Sequence, residues 1–105
     1  MTVVAARGDV NAAGCARLER ELVSRIDAGQ KRLVLDLGEA RYVSSAGLRV
    51  FLIATKRMGA DGAFVLARPT PAVRGVLELA GFLSVVKVAP DVDAAVAAAV
   101  PRAQA

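Results

Sequence analysis

Residues 32–58 read RLVLDLGEARYVSSAGLRVFLIATKRM, and the order of patterns inside this stretch decides the fold. Arg32-Leu-Val-Leu-Asp-Leu37 is apolar at 33, 34, 35 and 37, the pattern of a strand covered on both faces. Gly38 to Tyr42 read as a loop. A helix then begins at about Ser45 and runs to Met58, with Leu48, Phe51, Leu52, Thr55 and Met58 on one side. Val50, Ile53 and Ala54 leave only a narrow polar strip of Arg49, Lys56 and Arg57. A helix apolar nearly all round is expected to be the most buried one.

The flanking segments repeat the alternation. Thr2 to Ala6 (TVVAA) is a short apolar run, ended by a turn-like Arg7-Gly8-Asp9. Asn11 can cap a helix from about Ala12 to Ala28, in which Cys15, Leu18, Leu22 and Ile26 form one stripe and Gly29 supplies the stop. Beyond the central stretch, Gly59-Ala-Asp-Gly62 is a turn and Ala63 to Ala67 a third strand. Thr70 is placed to cap a third helix, with Pro71 at its first position. Val73, Val76, Leu77 and Ala80 line that helix, and Gly81 closes it. Ser84 to Ala89 (SVVKVA) read as a fourth strand. Asp91 to Val100 read as a final helix with Val92, Val96 and Val100 inward and Asp91 at its positive end. The order βαβαβαβα implies an α/β domain over residues 1–105, its sheet mostly parallel with helices packed on it.

Composition removes most chemistry. The chain has 105 residues, 55% hydrophobic and 23% charged, which suits one folded domain. It holds no His and one Cys, so no Ser-His-Asp or Cys-His pair, no Cys/His zinc site and no internal disulfide can form. Cys15 reads as a small core residue. The net charge of +4 is scattered, and with aromatics at 4% no rings interleave with the basic residues to stack bases. A solvated basic surface is expected, without direct nucleic-acid contact. No apolar run approaches the ~20 residues of a membrane span. Met1 to Val10 carry no signal-peptide pattern, so a cytoplasmic protein is expected. Neither GxxxxGK[ST] nor a post-strand GxGxxG occurs, and the acids show no motif of paired carboxylates or metal ligands. Asp36 reads as a structural acid satisfied by backbone amides. No enzyme, cofactor or metal is expected.

One segment stands apart: Tyr42-Val-Ser-Ser-Ala-Gly-Leu-Arg-Val50. Ser44 or Ser45 would cap the helix that follows. Ala46 and Gly47 are small where a cap does not require it, and would leave a serine hydroxyl open to a partner. A helix N-terminus tolerates a phosphate, because free amides and the dipole both favour negative charge. Element ends at one edge of a parallel sheet commonly carry function. The expected docking surface is therefore Asn11, Tyr42, Ser44, Ser45, Gly47 and Arg49.

The segment Asp36 to Phe51, with its VSSAGLRV core, resembles the STAS-domain anti-sigma-factor antagonists. The likeness extends from Gly8-Asp9-Val10-Asn11 through Thr70-Pro71-Ala72-Val73-Arg74 and Leu77-Glu78-Leu79-Ala80-Gly81-Phe82 to the closing alanine-rich helix. It implies a STAS-like mixed, mostly parallel sheet of about four strands with four helices, the first edge strand shortened. It also implies a partner switch. The unmodified antagonist binds an anti-sigma factor that is a serine kinase, which frees the sigma factor. Phosphorylation then breaks the complex, and a metal-dependent serine phosphatase resets it. The family's acceptor lies two residues before the motif glycine, which is Ser45 here. Ser44 stands in place of the family's aspartate and is the rival acceptor. Ala46 replaces the usual second hydroxyl, and Asn11 replaces a loop aspartate. The alternative is a STAS subunit of a membrane transporter, such as a lipid-exporting ABC system, that is not phosphorylated.

Overall fold

A computed structural model describes residues 2–99, apart from the side chains of residues 9, 12 and 13. The chain forms β1 (Thr2–Val10), α1 (Ala12–Asp27), β2 (Arg32–Val43), α2 (Ser45–Met58), β3 (Ala63–Ala67) and α3 (Pro71–Leu79). A 3₁₀ turn over Phe82–Ser84, then β4 (Lys87–Ala89) and α4 (Val92–Ala98), complete it. The four strands make one sheet in the order β1-β2-β3-β4, and every neighbouring pair is parallel. The expected mostly parallel sheet is thus parallel throughout the described residues. A helix lies between each strand and the next, as parallel neighbours, which no hairpin can join, require.

Two boundaries differ from the sequence reading, and one cause covers both. β1 runs on through Arg7-Gly8-Asp9, so the first edge strand is nine residues long rather than a shortened run ended by a turn. β2 likewise absorbs Gly38 to Tyr42, which are strand and not loop. The two strands stay paired because β2 carries an extra residue twice. Ala5 pairs with Asp36 but Arg7 with Glu39, and Gly8 pairs with Ala40 but Asp9 with Tyr42. Such bulges break the two-residue alternation that marks a strand. Beyond Asp36 the buried positions are Leu37, Ala40 and Val43, three apart instead of two.

The sheet buries its two faces unequally. Val4, Ala6 and Val10 of β1, Leu33, Leu35 and Leu37 of β2, and Phe64 and Leu66 of β3 pack under α1, α2 and α3. The opposite face is a small cluster of Val34, Ala63, Val65, Ala67 and Ala89 under α4. On α1, Cys15, Leu18 and Leu22 are buried as the stripe requires. On α3 only Val73 and Leu77 are fully buried; Val76 is half-buried and Ala80 is exposed. Ala95 and Ala99 face inward at α4, while Val92 and Val96 are partly buried at its sides. Val100 lies outside the described residues. β4 is shorter than expected because Ser84 belongs to the 3₁₀ turn.

The central helix contributes the most buried residues of any helix among those described, on a face that keeps Phe51 and Met58 of the expected side but is rotated away from Leu48 and Leu52. Gly47, Val50, Phe51, Ala54 and Met58 point inward. Leu48, Leu52 and Ile53 are only half-buried. The phase is set by Gly47, where an added Cβ would lie 2.9 Å from methyls of both Val10 and Val43. Only glycine lets the first turn of α2 sit this close to the strand ends.

Asp36 is satisfied, with more than backbone. Its Oδ1 accepts from the Gly38 amide at 2.9 Å and from Arg68 Nε at 2.7 Å, and its Oδ2 from Arg68 Nη2 at 3.0 Å. The guanidinium lies across Gly38, in the space a side chain there would need. Arg68 holds a left-handed backbone (φ 41°), the one non-glycine residue among those described to do so. The Arg68 hydrogen bonds hold the Asp36 carboxyl below its ordinary value, against the opposing effect of burial.

Two expectations follow. Phe51→Ala should destabilise the chain by about 3–5 kcal/mol in urea denaturation, and Leu52→Ala by clearly less, since Leu52 leaves a smaller void. Asp36 has a depressed folded pKa, so its contribution is present above the ordinary carboxyl range and is lost as pH falls through the folded value. Asp36→Asn should therefore be less stable than wild type at neutral pH, and the difference should shrink in strong acid. A gap in urea midpoint that stays constant with pH would show the pairing with Arg68 to be without effect.

Candidate functional site

At the carboxyl ends of β1 and β2, Val10 pairs with Val43 and both chains turn into helices. Ser44 makes the turn into α2. Its backbone is extended (φ −80°, ψ 171°), as an N-cap requires. Its hydroxyl oxygen accepts from the Gly47 amide at 3.3 Å and donates to the Val10 carbonyl at 3.0 Å. The Ser44 amide donates to the same carbonyl, also at 3.0 Å. Cys15 Sγ approaches it from α1 at 3.7 Å, and lies 4.0 Å from Ser44 Oγ. The Val10 oxygen is thus the point where α1, β1 and the start of α2 are tied. Cys15 is a packing residue with a weak S–H donor.

Ser45 is in a different position. It is the first residue of α2, exposed, and its hydroxyl has no hydrogen-bond partner among the described residues. The cap, open to either serine on sequence alone, is Ser44. No acid lies in the first turn of α2, so the helix itself does not offset the positive end of its dipole. Arg49 is exposed one turn along the same helix. Asn11 caps α1, its side chain accepting from the Gly14 amide at 3.2 Å, and remains exposed. These four, Asn11, Ser44, Ser45 and Arg49, are brought to one end of the sheet.

One expected member is not exposed there. Gly47 is buried, so its smallness serves packing against Val10 and Val43 rather than access to a serine. Tyr42 is 53% exposed and lies on β2 opposite Asp9, two residues before Ser44, at the same end of the sheet. Conversely, the half-buried Leu48, Leu52 and Ile53 sit beside Arg49 and Lys56 and form an apolar margin on α2. Sequence periodicity assigned Leu48 and Leu52 to the core. The glycine phase of the helix is the signal that would have placed them outside.

Among the described residues no three His, Cys, Asp or Glu side chains gather in a way that could hold a metal ion. No helix among them is long and apolar enough to cross a membrane.

A four-stranded parallel sheet with a capped helix springing from its second strand defines the class. Residues 1–95 match the model of the STAS domain, and the chain belongs to that family. It is 45% identical over 106 residues to BtrV of Bordetella bronchiseptica, whose name describes an anti-sigma factor antagonist. That alignment covers 97% of this chain and 91% of BtrV. The crystal structure of an anti-sigma factor antagonist from Mycobacterium paratuberculosis is similar with a TM-score of 0.86 at 24% identity, over 92% of this chain and 83% of that one. SpoIIAA, an anti-sigma factor antagonist in its unphosphorylated form, is similar with a TM-score of 0.63 at 18% identity, over 73% and 72% of the two chains. Both structures bear on the fold.

The cap assignment has a direct check. Ser44→Ala should lower stability by about 0.5–2 kcal/mol in urea denaturation, through the lost cap. Ser45→Ala should stay within about 0.5 kcal/mol of wild type. The reverse ranking would transfer the cap to Ser45.

Proposed function

We propose that this chain is an anti-sigma-factor antagonist that docks on an anti-sigma factor with serine kinase activity, using the N-terminal end of α2. Transfer of the ATP γ-phosphoryl group to Ser45 Oγ, with loss of the hydroxyl proton, then releases it. A metal-dependent serine phosphatase restores the hydroxyl by hydrolysis to inorganic phosphate. The observation that carries this reading is the contrast between the two serines: the Ser44 hydroxyl is engaged on both sides, and that of Ser45 is exposed and unbonded. The similarity to BtrV supports the same role.

The physics favours a switch at this place. Phosphate adds about −1.5 to −2 charge at neutral pH. On the first helical residue it sits near free amides and the positive end of the dipole, so the fold tolerates it. A partner packed on the apolar margin of Leu48, Leu52 and Ile53 must instead desolvate that charge, which opposes docking. Arg49 adds a cation to the surface the unmodified form presents.

The test is incubation with the anti-sigma kinase and ATP, followed by mass mapping and binding titration. Wild type should gain one phosphate on Ser45 and lose affinity. Ser45→Ala should bind and remain unmodified, and Ser45→Asp should fold but bind more weakly. Phosphate retained on Ser45→Ala and lost from Ser44→Ala would overturn the assignment. No phosphate on any form, with an active kinase, would favour the transporter-subunit reading.

A further inference from the structure

The two edges of the sheet are built differently. β4 ends the sheet with three residues, a short edge of the kind that resists pairing with other chains. β1 ends it with nine, and no described strand lies on its outer side. Residues 2–6, Thr-Val-Val-Ala-Ala, contain no charge, no proline and no glycine to blunt it. Val3 is 46% exposed, and Ala5 is exposed beside it. Nor does α1 close the margin: a groove of about 290 Å³ runs between it and β1, with Ala6, Val10 and Leu18 as apolar lining. Arg17 and Glu21, one helical turn apart, also line it. Arg17 has no ion-pair partner among the described residues, while Glu21 pairs with Arg25 through Oε1 at 3.2 Å and keeps Oε2 for a second cation.

From this edge we infer that β1 pairs antiparallel with β1 of a second copy of the chain, joining two four-stranded sheets into one. The edge is complementary to itself. A two-fold axis at Ala5 sets Val4 of one copy opposite Ala6 of the other, and Val3 opposite the aliphatic stem of Arg7. No two charges of like sign are opposed, and exposed Val3 is covered. Helix α1 returns against the direction of β1, so the two α1 helices run antiparallel across the axis. Arg17 of each copy then faces Glu21 of the other, which gives Arg17 the partner it lacks within the chain. A two-fold interface requires this reciprocity, in which each contact occurs twice. The ladder joins residues 2–8 of the two β1 strands, whereas Ser45 begins α2 after β2, one strand in from that edge. Both copies therefore keep their α2 N-termini open, and the pairing is independent of the proposed switch.

Sedimentation equilibrium of the full chain, from micromolar to submillimolar concentration, tests the inference. Wild type should be a dimer at the upper end. Val3→Lys combined with Ala5→Lys should be a monomer with an unchanged circular dichroism spectrum, because both positions are exposed in the single copy. Arg17→Glu should raise the dimer dissociation constant about tenfold or more by facing like charges, and adding Glu21→Arg to it should restore association. Ser45→Asp should associate like wild type. A wild-type chain that is monomeric throughout, or a dimer that survives the two lysines, overturns the pairing.

Discussion

The carbonyl oxygen of Val10 is the contact on which the functional end of this molecule depends. It ends β1, and it receives the amide and the hydroxyl of Ser44 together with the approach of Cys15. A carbonyl has two lone-pair directions, so this convergence uses its full accepting capacity. The consequence is geometric. With Ser44 held to β1 and also accepting from Gly47, the first turn of α2 has no freedom to slide along the sheet or rotate about its axis. Ser45, the next residue, is thereby aimed outward by its neighbour's bonds rather than by any of its own.

Gly47 completes the constraint. An added Cβ there would lie 2.9 Å from methyls of Val10 and Val43 and 3.2 Å from the Val10 oxygen, so a side chain would force the helix or those valines to shift. This fixes which residues of α2 face the sheet, and it explains where sequence reading succeeded and where it could not. The element order, the caps Asn11 and Thr70 and the stripe on α1 were all legible, because each is a local signal with one physical cause; Asp91 was read at the positive end of the last helix and proves to be its cap. The face of α2 was not. A helix apolar nearly all round offers no unique stripe, and the residue that set its phase has no side chain to count. Leu48 and Leu52 were assigned inward for that reason beside Phe51 and Met58, which are buried, while Val50 and Ala54, placed elsewhere, are buried as well.

The strand extension was hidden by a related effect. Glycine, charge and tyrosine over residues 38–42 look like a loop, and two bulges turn the remaining apolar spacing from two to three. Pairing with β1 holds the segment in the sheet, and pairing between residues 31 to 33 apart leaves no local trace. Asp36 shows the same limit. Its satisfaction by backbone was legible in kind, but Arg68 comes from 32 residues away and adopts a left-handed backbone while bridging to it. The candidate site was half legible: a serine pair at a helix start could be read from spacing, and which hydroxyl was engaged required the position of Val10.

These constraints explain how a surface can be switched without a change of fold. If the acceptor were Ser44, phosphorylation would remove the donor to Val10 and obstruct the bond from Gly47, loosening the tie among α1, β1 and α2. Modification at Ser45 removes no hydrogen bond among the described residues, and it places negative charge where the helix dipole favours it. The same charge stands at the border of an apolar margin, where a partner would have to strip its water. One residue of chain separates a position where phosphate would damage the scaffold from one where it alters only what the scaffold presents. On the proposed switch, the residue that must stay fixed is what exposes the residue that is modified.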